Sequence, residues 1–332
     1  MSSFDALPDR VVEADPDLLA EAATSIANVL GTTGGIRWLS GEPLQRPRSV
    51  VIPLEARDSS GRSVTVYFKR SYPPPYEEER RLRWEATVRS GLTRAPELES
   101  RLAELVDGEG IGFSRALATD PATLSVVTTA VPGQPMGRVW RHLVTSDSRE
   151  SAARLLRRCG RAARLIEECS PDRIEPEPGA EDPVGRRVAR MRGKLQDSKL
   201  DRLRERMERL SAELSASPSP TVYSHGDFST TNVLVDEGRI GLIDFTWPLR
   251  QRGFDLAHFA FRLEYDTAAP AWMTVPLIDA LIEGFGDEQA TERPGWKLVR
   301  LSKLLKVVEE GRRGGLGAGR ARRALAEIES YL

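Results

Sequence analysis

Asp227 and Asp244 stand seventeen residues apart with Asn232 between them, in the segment VYSHGDFSTTNVLVDEGRIGLIDFTWP that runs from Val222 to Pro248. Two carboxylates and an amide are hard oxygen donors. One carboxylate and the amide suffice for Mg2+, which keeps several waters in its shell. The other carboxylate is then left to orient an attacking hydroxyl and take its proton. Phosphoryl transfer asks for such a set and for little covalent help besides. On this reading Asn232 and Asp244 hold the metal and Asp227 is the base.

Local patterning shows how these groups are carried. Val233 to Val235 and Ile240 to Ile243 are short apolar runs of strand type, and Asp236-Glu237-Gly238-Arg239 between them is a hairpin turn. A polar loop from His225 to Asn232 precedes the hairpin, and Asp244 ends its second strand. The three groups therefore sit on a loop and at the ends of a rigid hairpin.

Earlier in the chain, residues 17–30 predict an amphipathic helix that ends at Gly31-Thr32-Thr33-Gly34-Gly35. Strand-like stretches follow at Ile36 to Leu39, Ser49 to Leu54 and Val64 to Lys69, the last two separated by a turn at Asp58 to Gly61. Two helices are predicted next, at Glu77 to Ser90 and at Ala95 to Leu105. A strand from Leu124 to Val131 runs into Pro132-Gly133-Gln134-Pro135. Helices over 148–169 and within 185–214 flank an acidic, proline-rich loop from Pro171 to Pro183. The expected fold class is α+β and bilobal. Residues 1–128 form an antiparallel-sheet lobe with a helix, and residues 129–332 a larger, mainly helical lobe.

His225-Gly226-Asp227 followed by Asn232 and by Ile243-Asp244-Phe245 resembles the catalytic and metal loops of the protein-kinase-like superfamily. With Gly after His, and with Gly253-Phe254-Asp255-Leu256-Ala257 downstream, it resembles the aminoglycoside phosphotransferase/choline kinase-like family of small-molecule kinases. The resemblance implies ATP and Mg2+ as cofactors, His225 as a structural brace of the loop, and Asp255 as a second brace through hydrogen bonds. It also implies a cation for the ATP phosphates at the end of the third strand. Lys69 stands there and is the first of only six lysines in the chain. Its expected partner is Glu85, with Glu78 and Glu79 as competitors on the same charged helix. The adenine would meet backbone near Thr129 and Val131. Ser229 stands where protein kinases carry Lys, and only ten residues separate Asp244 from Asp255, too few for a peptide-docking segment. No GxGxxG or Walker A run is present. The hairpin around Ser40-Gly41-Glu42, with Arg46 and Arg48, is the expected contact to phosphate instead.

Composition narrows the partners. Forty-eight basic residues nearly cancel 49 acidic ones, so the balance calls for neither nucleic acid nor an anionic membrane. No run of 18 apolar residues predicts a membrane span, and the acidic N-terminus is unlike a signal peptide, so the chain is expected to be cytoplasmic. Cys159 and Cys169 form no metal pattern and read as reduced, structural thiols. The expected activity is ATP-dependent phosphorylation of a hydroxyl on a small molecule of aminoglycoside, sugar or amino-alcohol type. A macromolecular acceptor such as a cell-envelope glycan, and a nucleotide-binding pseudokinase, are the other readings. Trp247, Trp272, Glu264 and Asp266 are candidates for the acceptor wall. The sequence sets no oligomeric state.

Overall fold

The structure, a computed structural model, describes residues 10–11, 16–30, 37–38, 44–46, 49–57, 61–73, 78–145, 149–171, 197–216, 220–267, 271–311 and 317–331. The helix-ending glycines at 31–35, the tip of the first hairpin with Arg48, residues 58–60 of the predicted turn, and residues 172–196 lie outside them.

Strands β1 (Arg10–Val11), β2 (Arg37–Trp38), β3 (Leu44–Arg46), β4 (Ser49–Arg57), β5 (Ser63–Ser71), β7 (Ala116–Asp120) and β8 (Ser125–Thr129) form one sheet, in the order β1-β3-β4-β5-β8-β7 with β2 on β4. The pairing is antiparallel throughout. β4 and β5 alternate between buried and half-exposed side chains, the period of two that a one-sided sheet imposes. Ile52, Leu54, Val66, Phe68 and Val127 point inward against Leu18, Ala22 and Ile26 of α1 (Pro16–Leu30), four residues apart on one helix face. Lys69, opposite Val51 on one side and Val126 on the other, is thus fixed near the end of a strand paired on both edges.

Where two helices were predicted, one helix, α2, runs from Glu78 to Leu105 straight through Pro96. Proline removes a single helical hydrogen bond, the one to the carbonyl of Leu92. The buried stripe Gly91, Ala95, Leu98 and Leu102 continues across it, and this packing outweighs the lost bond.

Beyond β8 the chain crosses at 130–133 into a second, four-stranded sheet, ordered β6-β12-β11-β9. Its strands are β6 (Ile111–Phe113), β9 (Gln134–Pro135), β11 (Val233–Asp236) and β12 (Arg239–Leu242). Gly133 in this crossover has φ 115°, and a Cβ there would lie 2.8 Å from the Val235 carbonyl oxygen. Because β6 pairs with β12, and Ala95, Leu98 and Leu102 join the large C-terminal core, the α2–β6 segment packs with residues beyond 129 as well as with the first sheet.

The C-terminal part is helical. It holds α3 (Met136–Thr145), α4 (Arg149–Glu168), α5 (Asp197–Ala216), α6 (Phe254–Asp266), α7 (Ala271–Thr274), α8 (Ile278–Phe285), α9 (Pro294–Gly311) and α10 (Gly317–Ser330), with the small pair β10 (Thr221–Tyr223) and β13 (Leu249–Gln251). α4 and α8 touch backbone to backbone. A Cβ on Gly160 would lie 2.0 Å from Leu281 O, and one on Gly284 2.0 Å from Arg157 O. A second apolar cluster joins Leu203 and Met207 of α5, Phe261 and Tyr265 of α6, Leu301, Leu304 and Leu305 of α9, and Ala324 and Ile328 of α10. Among the described residues no helix is long and apolar enough to cross a membrane.

Candidate active site

The hairpin forms as its turn chemistry requires. Glu237 (φ 44°) and Gly238 (φ 80°) both take left-handed backbone, the pair of positive values that suits a two-residue turn between right-twisted strands. Val233 pairs with Leu242, and the Ile243 N–H donates to Asn232 O at 3.0 Å. Asn232 and Asp244 are thereby brought side by side at the open end of the hairpin. Asp244 itself has φ 70°, a conformation that Asp and Asn accept more readily than most residues.

Asn232 is buried, and its Nδ2 donates to Asp227 O at 2.9 Å and to Asp227 Oδ2 at 3.2 Å. Its amide nitrogen is committed to the loop, so its Oδ1 is the atom left for a cation. Across the cleft, Lys69 Nζ forms an ion pair with Asp244 Oδ1. The ammonium is a cation already seated on the carboxylate. This seat, together with a carboxylate and an amide oxygen as donors, fits a hard divalent ion that keeps its own waters. Among the described residues no cluster of three or more His, Cys, Asp or Glu offers a metal cage of another kind.

Lys69, Asp227, Asn232 and Asp244 thus come together from β5, the loop and the hairpin. Glu85 does not join them as Lys69's partner. The N-terminal half of α2 buries no side chain, and there Glu85 Oε1 lies 3.8 Å from Arg81 Nε, one turn away. Thr129 and Val131 sit at the crossover. Thr129 N–H donates to Arg115 O at 2.9 Å, whereas Val131 N–H has no backbone partner among the described residues.

The loop is held from beneath. His225 is fully buried, with its ring 4.2 Å from the Phe245 ring centre. Burial, against the pull of nearby Asp244, lowers its pKa to about 4, so the imidazole is neutral near pH 7. Its backbone N–H donates to Asp255 Oδ2 at 2.6 Å, and its carbonyl accepts from Thr246 N–H at 3.0 Å. Gly226 (φ 91°) has no room for a side chain, since a Cβ would meet Thr246 Oγ1 at 2.1 Å. Asp255 is fully buried at the start of α6, and desolvation raises it to about 6 despite the His225 and Gly226 amides.

Three residues absent from the sequence expectations belong to this site. Glu167, at the end of α4 and 2% exposed, accepts the Gly253 N–H at 2.6 Å and lies 3.4 Å from Arg252 Nε. Burial raises it to about 7, and the charge of Asp255 adds to the shift. His258, one turn along α6 from Asp255, places Nε2 3.9 Å from Asp227 Oδ1, too long for a hydrogen bond. Lys303 of α9 stands 3.4 Å from the same nitrogen.

The acceptor-wall candidates separate. Trp247 is 2% exposed and stacks on Phe245 at 4.8 Å, so it is a core residue. Glu264 is buried and gripped by the two terminal guanidinium nitrogens of Arg300, at 2.9 and 2.8 Å, so it is structural. Trp272 is 75% exposed, and the side chain of Asp266 lies outside the described residues. Cys159 and Cys169 are free and buried.

Glu167 leads to a measurable pH effect. Its folded-state pKa is raised from 4.5, so between pH 4.5 and about 7 the folded chain keeps a proton that the unfolded chain has lost. That stabilisation is complete below pH 4.5 and disappears as the pH rises through about 7. Glu167→Gln removes this term while keeping an oxygen for Gly253. Its melting temperature is expected to fall less than the wild type's between pH 5 and 7.5. Parallel curves for the two proteins would refute the assignment.

Comparison with known proteins comes at two levels. Curated protein sequences gave no match to the chain. Among solved structures, the fold is similar to a choline/ethanolamine kinase family protein from Mesorhizobium loti (16% identity, 95% of this chain and 94% of that chain, TM-score 0.54). It is also similar to an amicoumacin kinase solved with AMP-PNP, Ca2+ and Ami (13%, 96% and 94%, 0.54). The GDP complex of aminoglycoside 2'-phosphotransferase-IIIa is a third such structure (12%, 94% and 97%, 0.54). At these identities the likeness is one of fold, a bilobal kinase-like fold. A family model described as the phosphotransferase enzyme family matches residues 56–296, which takes in β5, the crossover, the loop, the hairpin and α6. With that match spanning well over half of its length, the chain belongs to the phosphotransferase enzyme family.

Proposed function

We propose that the protein is an ATP- and Mg2+-dependent kinase that phosphorylates a hydroxyl group of a small molecule. The observation that carries this is the meeting of Lys69, from the first sheet, with Asp244 at the hairpin end, while Asn232 links Asp244's neighbourhood to Asp227. Solved structures of similar fold in complex with AMP-PNP and with GDP support nucleotide use. Residues 1–128 serve as the nucleotide lobe and 129–332 as the catalytic and acceptor lobe. The crossover near Thr129 and Val131 reads the base through backbone groups, and Lys69 holds the phosphates. Glu85, half-buried on the N-terminal half of α2, is a reserve partner for Lys69 when the lobes close. His225 and Asp255 brace the loop.

Bound at Asn232 and Asp244, Mg2+ would offset phosphate charge. Asp227, half exposed, orients the acceptor. The hydroxyl oxygen attacks the γ-phosphorus, the bond to the β–γ bridging oxygen breaks, and that oxygen leaves with the electron pair on ADP. The hydroxyl proton passes to Asp227. The test is ADP release with Mg2+ over matched hydroxyl compounds that are neutral, cationic and anionic. At least one acceptor is expected to stimulate release above the rate without acceptor. A chain that binds no nucleotide under these conditions is not a kinase.

A further inference from the structure

Asp227 shows its two carboxylate oxygens to different surroundings. Oδ2 takes Asn232 Nδ2 on the side of Asp244 and Lys69, and Oδ1 faces His258 Nε2 at 3.9 Å. In-line transfer brings the phosphoryl donor to the first side and leaves the second to the acceptor. That second side is a face of α6 carrying Phe254, His258 and Arg262 at four-residue spacing, packed against α9 with Lys303 and Lys306 three residues apart.

The groups there are basic. Lys303 Nζ lies 3.4 Å from His258 Nε2 and 6.0 Å from the Phe254 ring centre, and the Arg250 guanidinium carbon lies 5.4 Å from the same ring. The His258 side chain is 8% exposed, and its Nδ1 has no hydrogen-bond partner among the described residues. Burial first, then the charges of Lys303, Arg262 and Lys306, hold this imidazole well below its usual range. The ring is therefore neutral, and the field around it is positive even beside a carboxylate.

We propose that the acceptor is an anionic hydroxyl compound, with its carboxylate or phosphate group held at Lys303 within the basic rim of Arg250, Arg262 and Lys306 and its hydroxyl at Asp227. This rests on the kinase reading above. A quaternary ammonium or polyamine acceptor would meet like charge here. The one aromatic face at hand, Phe254, is already attended by the protein's own cations and makes no cage for another. An oxyanion forms charge-assisted hydrogen bonds with an ammonium and a guanidinium.

The test uses the full chain labelled with 15N. The chain has three histidines, and the imidazole signals of His258 are assigned by their loss in His258→Gln. Inorganic phosphate, glycolate and choline are titrated separately. A saturable shift of His258 with phosphate, with glycolate or with both is expected, and none with choline. Saturation by phosphate alone assigns a phosphorylated acceptor, and saturation by glycolate alone a hydroxy acid. Lys303→Glu is expected to weaken the anion's affinity about tenfold or more, the scale of one charge-assisted contact. Lys306→Glu, at an exposed position, is expected to act in the same direction. The proposal is overturned if neither anion moves His258 at about 50 mM, far weaker than ordinary substrate affinity, or if choline saturates the shift. Mg-ATP binding, measured in parallel, keeps the two readings apart. A chain that binds nucleotide but no oxyanion loses only this proposal, whereas a chain that binds no nucleotide loses the kinase reading itself.

Discussion

Asp227→Asn is expected to lower kcat for acceptor phosphorylation by about 10^3-fold, within the range that general-base catalysis contributes, while Mg-ATP still binds. The substitution keeps the shape of the side chain and a group to meet Asn232 Nδ2, now 3.2 Å from Oδ2. What it removes is a carboxylate that can accept the hydroxyl proton. The nucleotide side is built by other residues, so the KM for ATP should hold while kcat falls. Steady-state rates with a stimulating acceptor, beside calorimetric ATP binding, separate the two. A variant turning over within about fivefold of wild type, a change of only about 1 kcal/mol in the barrier, would show that Asp227 is not the base.

Asp244→Asn should abolish the dependence of nucleotide binding on Mg2+ and reduce kcat/KM by about 10^3-fold or more, the scale of losing an electrostatic clamp on transferring phosphate. Asn is the informative replacement, because it tolerates the left-handed backbone at φ 70° and so spares the turn. It withdraws one charge from a position that Lys69 also contacts. ATP affinity measured with and without magnesium decides the matter. If the metal still tightens binding in the variant as it does in the wild type, Asp244 is not a ligand.

The parts of this site that the sequence announces are those whose physics is local. The turn Asp236 to Arg239 sets the pairing of Val233 with Leu242, and that register alone carries Asn232 and Asp244 to the same end. The strand ending near Lys69 is legible from its alternation, and the two-lobed architecture from the change of strands into helices. What the sequence does not show is set by tertiary packing. Pro96 looks like a boundary, yet the stripe from Gly91 to Leu102 keeps one helix whole. Lys69 points to a glutamate on the next helix by analogy, whereas here Glu85 lies half-buried beside Arg81 and the acid that Lys69 meets is Asp244. Trp247 stands next to the motif in sequence and turns inward to stack on Phe245. Glu167 reaches Gly253 across 86 residues, and Lys303 reaches His258 across 45, so no spacing within either stretch could reveal them.

Gly133, pressed against the Val235 carbonyl, has a mechanical consequence. The strap that joins the two lobes is fastened at the turn end of the hairpin whose open end carries Asn232 and Asp244, so the hairpin is a lever with its fulcrum opposite those two residues. Any rocking of the first sheet that shuts the cleft pulls on that fulcrum directly. A bulkier residue at 133 would lift the strap off its bearing and leave the lobes able to close out of step with the alignment of Asn232 and Asp244.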